Sequence, residues 1–177
     1  MATETASTLE GLLNELEKQA GPASAEALDR FSEAIARIFR LKTDEVAVLE
    51  ILPPGKLLRF VLPEKLRAAG TIPLNSNSAL AARTARLRRA DIVNNFPSFR
   101  HATVFEGFPL GRRYDESIQK ILSAPIVRDN RVIGVVQLCR KGISGTDAGP
   151  DFTPGDLTEL KKLDDLLARF LSFGRPS

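Results

Sequence analysis

Side chains able to carry chemistry are scarce in this sequence. Its 177 residues include one cysteine, Cys139, one histidine, His101, one tyrosine and no tryptophan. A single cysteine excludes an intramolecular disulfide, and one histidine beside it cannot complete a Cys/His set of the kind that holds structural zinc. General-base chemistry near neutral pH has as little to draw on, because no Ser/His/Asp set, phosphate-binding glycine loop or metal triad is visible. No apolar run approaches the ~20 residues that cross a bilayer, and the opening MATETASTLEG lacks the basic and apolar regions of a signal peptide. A cytoplasmic, non-enzymatic protein with no membrane contact is therefore expected.

What is present suits one globular domain with a real core. Hydrophobic residues make up 43% and charged residues 27%, close to the globular average. The net charge is only +3, but it is unevenly placed. From Arg83 to Arg113 there are seven arginines against two acids, Asp91 and Glu106, a local +5 that leaves the rest of the chain at −2.

Periodicity supplies the elements. In STLEGLLNELEKQAG, Leu9, Leu12, Leu13, Leu16 and Ala20 fall on one helical face, with Ser7 or Thr8 as cap and Gly21-Pro22 as stop. A second helix is expected from Ser24 to Leu41, burying Leu28, Phe31, Ile35, Ile38 and Phe39. EVAVLEIL and KLLRFVL around PPG read as a hairpin. TIPL is a short strand leading into NSNSALAARTARLRR, a helix capped by Asn75, Ser76 or Asn77. ADIVN is a further short strand. Residues 94–117 show no sustained period and read as a long loop carrying Phe96, Phe99, Phe105 and Phe108, with room for one helical turn.

IQKILSAPIV and RVIGVVQLCR then form a second hairpin around Asp129-Asn130. In its second strand Val132, Val136 and Leu138 face one way and Ile133, Val135 and Cys139 the other. Both faces are apolar, so this is a central strand covered on both sides. Pro125 should cause a local irregularity. FTPGDLTELKKLDDLLARFL closes the chain as one helix, with Thr153 as cap, Pro154 at the first helical position and Asp156 completing a capping box. Its stripe is Leu157, Leu160, Leu163, Leu167, Phe170 and Leu171. Apolar stripes on both terminal helices suggest a homodimer through residues 1–22 and the closing helix, with residues 23–174 as the domain proper.

The order of these elements, together with IPLNSNSALAARTARLRRADIVNN, ILSAPIVRDNRVIGVVQLCRKG and FTPGDLTELKKLDDLLARFL, resembles the GAF domain family over roughly residues 25–172. The resemblance implies an α+β fold, a central antiparallel sheet with helices on one face and a pocket closed by loops and a short helix on the other. It also implies a small-molecule-binding sensory role. The cyclic-nucleotide-binding members carry Asn-Lys and, after a gap, Phe-x-x-x-Asp-Glu. The matching places here read Arg140-Lys141 and Phe152-x-x-x-Asp156-Leu157, so asparagine and glutamate are missing, and a helix cap beside a packed aromatic accounts for what remains.

Carried onto this sequence, the pocket would lie among the helix from Asn75, the strand from Asp91 and the aromatic loop. Asn75, Ser76, Asn77 and Ser78 would offer backbone N–H groups at a helix start, where an anion is favoured. Arg83, Arg100 and Arg112 would complete an anion site, since guanidinium forks suit carboxylate and phosphate. Leu80, Phe96, Phe99, Phe105 and Phe108 would enclose an apolar part. His101 stands in the same loop; a haem ligand is one reading of it, a plain loop histidine the favoured one. Cys139 reads as a small buried hydrophobe.

The function expected is non-catalytic binding of a small ligand, anionic or nucleotide-like, by a sensory domain that passes its signal to a partner protein. The cofactor, if any, is unknown. Nucleic acid is not expected, because the basic excess is modest and the sheet is covered. The alternatives are an interaction module with an empty pocket and an enzyme of the methionine-sulfoxide-reductase kind, which would use several cysteines.

Overall fold

A computed structural model describes residues 2–19, 21–98 and 116–173. In chain order the elements are α1 (Ala2–Lys18), α2 (Ala25–Phe39), β1 (Val46–Leu52), β2 (Leu57–Leu62), β3 (Thr71–Pro73), α3 (Leu80–Leu87), β4 (Asp91–Val93), β5 (Ser117–Arg128), β6 (Arg131–Gly142), α4 (Pro154–Lys161) and α5 (Asp164–Phe173). Short 3-10 turns stand at Thr43–Glu45, Glu64–Ala69 and Phe96–Ser98. All strand pairs are antiparallel, and the six strands lie in the order β3-β2-β1-β6-β5-β4. This is the α+β architecture expected.

β5 and β6 organise the sheet. Asp129 and Asn130 have φ of 49° and 60°, the left-handed pair that a two-residue hairpin turn needs so that its twist matches the strands. Strand alternation then sends Leu122, Ala124, Val136 and Leu138 to one face and Ile121, Val135 and Cys139 to the other. The β5–β6 register shifts twice, at Gln119 between Ile118 and Lys120, and again near the turn. Ile126 pairs with Gly134 but Val127 with Val132, so Ile133 is an extra residue. The bulge puts Ile133 with Val136 and Leu138, and Val132 with Val135 and Cys139, the reverse of the expectation.

At Pro125 the β5–β6 register runs unbroken, and the irregularity stands one step further on. Beyond Ser123 the outer edge of β5 has no partner strand, which is where a residue without an N–H is tolerated.

One face of the sheet is covered by α1, α2, α4 and α5. The α2 helix starts as its sequence dictates, with Ser24 Oγ accepting from Ala27 N–H at 3.2 Å. Phe31 of α2 stacks on Phe170 of α5 with ring centroids 4.1 Å apart. The α1 helix begins at Ala2, ahead of the expected cap, and within it Thr8 Oγ1 donates to Glu4 O instead of capping. Its stripe of Leu9, Leu12, Leu13 and Leu16 is buried in the same core, and Arg169 of α5 pairs with Glu17 at 2.6 Å. The leucines that prompted the homodimer expectation are packed within the chain's own core.

The closing helix is two helices, not one. Thr153 and Asp156 form the expected capping box at the start of α4. Leu163 N–H then bonds Leu160 O, a tightened turn, before Leu167 N–H restarts the α pattern on Leu163 O. The break keeps Leu160, Leu163 and Leu167 all buried, and it places Asp164 and Asp165 in the first turn of α5, where negative charge meets the positive helix end.

Gly134 sits where β6 passes β1 and α5. A Cβ there would lie far inside contact distance of the Leu49 carbonyl oxygen and of Leu171 Cδ1. Gly134→Ala is expected to lower stability by about 1–3 kcal/mol or more, the range for forcing atoms into a packed core. Urea unfolding measures it, and an unchanged midpoint would show that the backbone yields there.

Candidate functional site

The other face of the sheet is built differently. The eight-residue α3 lies across it and presents Leu80 and the small side chains Ala81, Ala82 and Ala85, all buried, with Ala79 just before them. Phe96 enters from its 3-10 turn and Leu66 from Glu64–Ala69. The sheet contributes Ala47, Leu49, Val135 and Cys139. Cys139 is wholly buried, as expected of a small hydrophobe.

Within this apolar layer runs a chain of polar groups. Ser123 and Gln137 are direct cross-strand partners, so alternation puts both on the α3 side. Gln137 Nε2 donates to Ser123 Oγ at 3.2 Å, and Ser123 Oγ lies 2.7 Å from Thr84 Oγ1. Thr84 Oγ1 donates to Leu80 O at 2.9 Å. A hydroxyl has one proton, so Ser123 is the donor to Thr84, and the chain runs one way from Gln137 to the first turn of α3. All three side chains belong to residues at most 1% exposed. Sequence reading missed them, although a lone Ser in ILSAPIV and a lone Gln in VVQLC were the available signals.

The start of α3 differs from expectation. Asn75, Ser76 and Asn77 do not cap it: Ala79 is the N-cap, with no side-chain hydrogen bond, and Leu80 is the first helical residue. Asn75–Ser78 form a turn instead, with Ser76 N–H on Pro73 O and Ser78 N–H on Ser76 Oγ. Arg86 holds that turn by donating to Leu74 O and, at 2.7 Å, to Ser76 O. The backbone donors at the helix start therefore belong to residues from Leu80 onward. Asn75, Asn77 and Ser78 are exposed.

The described arginines of the basic segment each meet a protein acceptor. Arg83 and Arg89 share Asp91, at 3.9 and 3.6 Å. Arg88 donates to Asn130 O and Oδ1, both at 2.9 Å. Of the expected site, Leu80 and Phe96 come together in the buried layer and Arg83 stands at its rim with a side chain 33% exposed. Phe99, Arg100, His101, Phe105, Phe108 and Arg112 lie outside the described residues.

A sheet closed by four helices on one side and by one short helix with 3-10 turns on the other agrees with the GAF domain model, which matches residues 19–172. The chain belongs to the GAF domain family. Its fold is that of the GAF domain of an Acinetobacter phosphoenolpyruvate-protein phosphotransferase, with a TM-score of 0.65 and 14% identity over 97% of this chain and 95% of that one. A segment of a methyl-accepting chemotaxis protein superposes with a TM-score of 0.62 at 14% identity, covering 92% of this chain and 96% of that one. Free methionine-R-sulfoxide reductase from Neisseria meningitidis gives 0.60 at 14% identity, covering 98% and 92%. No curated protein sequence matches the chain. In this GAF domain no helix among the described residues is long and apolar enough to cross a membrane.

The buried chain has a measurable consequence. Ser123→Ala leaves the Gln137 amide without its acceptor and should cost about 1–3 kcal/mol, the penalty for an unpaired buried polar group. Adding Gln137→Leu removes the orphaned amide and should restore part of the loss in urea unfolding. A double variant as destabilised as the sum of the singles would mean that the groups act independently.

Proposed function

We propose that this GAF domain is a non-catalytic, small-molecule-binding sensory domain whose ligand lies between α3 and the sheet. The observation that carries the reading is the unequal cover of the two faces. Long helices interlock on one side through large side chains. On the other, the short α3 meets the sheet through Leu80, alanines and the Thr84–Ser123 hydrogen bond, a smaller hold than the interlocked helices have. The Thr84–Ser123–Gln137 chain supplies polar partners within an otherwise apolar layer, the composition of a ligand site.

The likeness to a reductase whose structure holds its substrate supports a small-molecule capacity in this fold, and the likeness to a chemotaxis protein supports a signalling one. Catalysis of the reductase kind is disfavoured by Cys139, the only cysteine, whose residue is 0% exposed on the central strand; a thiolate must be accessible to attack.

An anionic ligand is favoured. One carboxylate, Asp91, serves two arginines, and the local +5 is what remains once Asp91 and Glu106 are counted. Arg83 is the described residue best placed to meet an anion beside the start of α3. The competing reading, an interaction module with an empty pocket, draws on the protein acceptors that Arg86 and Arg88 already have.

Thermal-shift measurements against inorganic phosphate, nucleotides, dicarboxylates and neutral apolar compounds separate these. An anion should raise the melting temperature, and Arg83→Ala should weaken its binding by about 10- to 150-fold, the worth of one charged hydrogen bond. Stabilisation by neutral compounds alone would reject the anion assignment, and none at all would favour the interaction module.

A further inference from the structure

We infer that Asn94 is the coupling residue through which a displacement on the α3 face reaches the helices of the opposite face. The inference deepens the sensory reading and rests on it for its purpose, since a sensor needs an exit for its signal. The geometry stands without any ligand.

Asn94 follows β4 directly, and its carboxamide takes both backbone groups of Phe152, 58 residues away. Nδ2 donates to Phe152 O at 3.0 Å, and Oδ1 accepts from Phe152 N–H at 2.8 Å. The side chain thus replaces the neighbouring strand that a backbone segment would otherwise need. A carboxamide carries a donor and an acceptor side by side on one planar neutral group, and asparagine is the shorter residue to bear it. Both bonds are partly buried, so water competes with them little.

The two ends of this clasp belong to different cores. Two residues beyond Asn94, Phe96 is 1% exposed and packed on the α3 side. Phe152 is 3% exposed and packed on the helical side, immediately before Thr153, the cap of α4. The Arg140 guanidinium lies 4.9 Å from the centroid of the Phe152 ring. Arg140 in turn donates to Phe39 O at 3.2 Å and Arg40 O at 3.3 Å, at the C-terminal end of α2, where a cation is favoured. A shift of the segment at Phe96 therefore has a continuous route through Asn94 to the start of α4 and the end of α2. The step from Asn94 to the start of α4 passes around the edge strand β4, and the step on to α2 uses the Arg140 side chain of β6.

Hydrogen exchange on the unliganded full chain tests this with a substitution as the perturbation. Phe96→Leu loosens the α3 side, and exchange is read at amides 152–161. With Asn94 present, Phe96→Leu should speed exchange there by about three-fold or more; with Asn94→Ala, it should add nothing, the non-additivity of a shared path. If Asn94→Ala does not fold, Asn94→Asp supplies the broken clasp, because it keeps the acceptor and loses the donor. A residue that merely stabilises α4 would raise exchange in its own variant and leave the Phe96→Leu effect intact in both backgrounds. That result, or no effect of Phe96→Leu at 152–161 with Asn94 present, overturns the inference. Because no ligand enters the test, its failure is distinct from failure of the ligand-binding reading.

Discussion

Everything in this fold answers to one strand. β6 lies at the centre of the sheet with apolar residues on both faces, Val136 and Leu138 on one and Val135 and Cys139 on the other. Leaving either face in water would forfeit burial worth roughly 1.5–3 kcal/mol for each large aliphatic side chain. The chain must therefore supply two layers of cover, and the Asp129-Asn130 turn makes this possible by pairing β6 with β5 along twelve residues of each strand.

The two covers are made from unlike material. On the helical face, leucine and phenylalanine from α1, α2, α4 and α5 interdigitate, and the Phe31–Phe170 stack ties the second helix to the last. That face behaves as a conventional core, intolerant of changed volume. On the α3 face, a short alanine-bearing helix is held by hydrogen bonds as much as by packing, through the chain from Gln137 to Leu80. Directional bonds fix where α3 sits, and Phe60, Ile118 and Ile121 share its buried layer. The clasp from Asn94 to Phe152 then joins the two layers.

Much of this was legible in the sequence because the signals were local. The capping box at Thr153 and Asp156, the Ser24 cap, the two hairpins and the two-sided burial of β6 follow from spacing and residue type within a few positions. What was not legible depends on contacts between distant segments. The bulge at Ile133 reverses two side chains for reasons that no alternation pattern holds. The start of α3 moved to Leu80 because Arg86 and the turn at Asn75–Ser78 satisfy one another, while three asparagine and serine candidates all looked like caps. The leucines of α1 read as an unpartnered stripe only because the helices that cover them are far away in sequence. Thr84, Ser123, Gln137 and Asn94 stayed invisible for the same reason: a polar residue among apolar ones states that it needs a partner and not which.

The central claim is that the α3 face of the sheet is the receptive one. Methyl-resolved NMR of the protein against a library of small anionic and neutral fragments tests it most directly, since both cores carry leucine and valine reporters. The account predicts that bound fragments shift the methyls of Leu49, Leu80 and Val135 and leave those of Leu13 and Leu167 in place. Fragments that perturb only the helical-face methyls, or a library in which none binds, would contradict it.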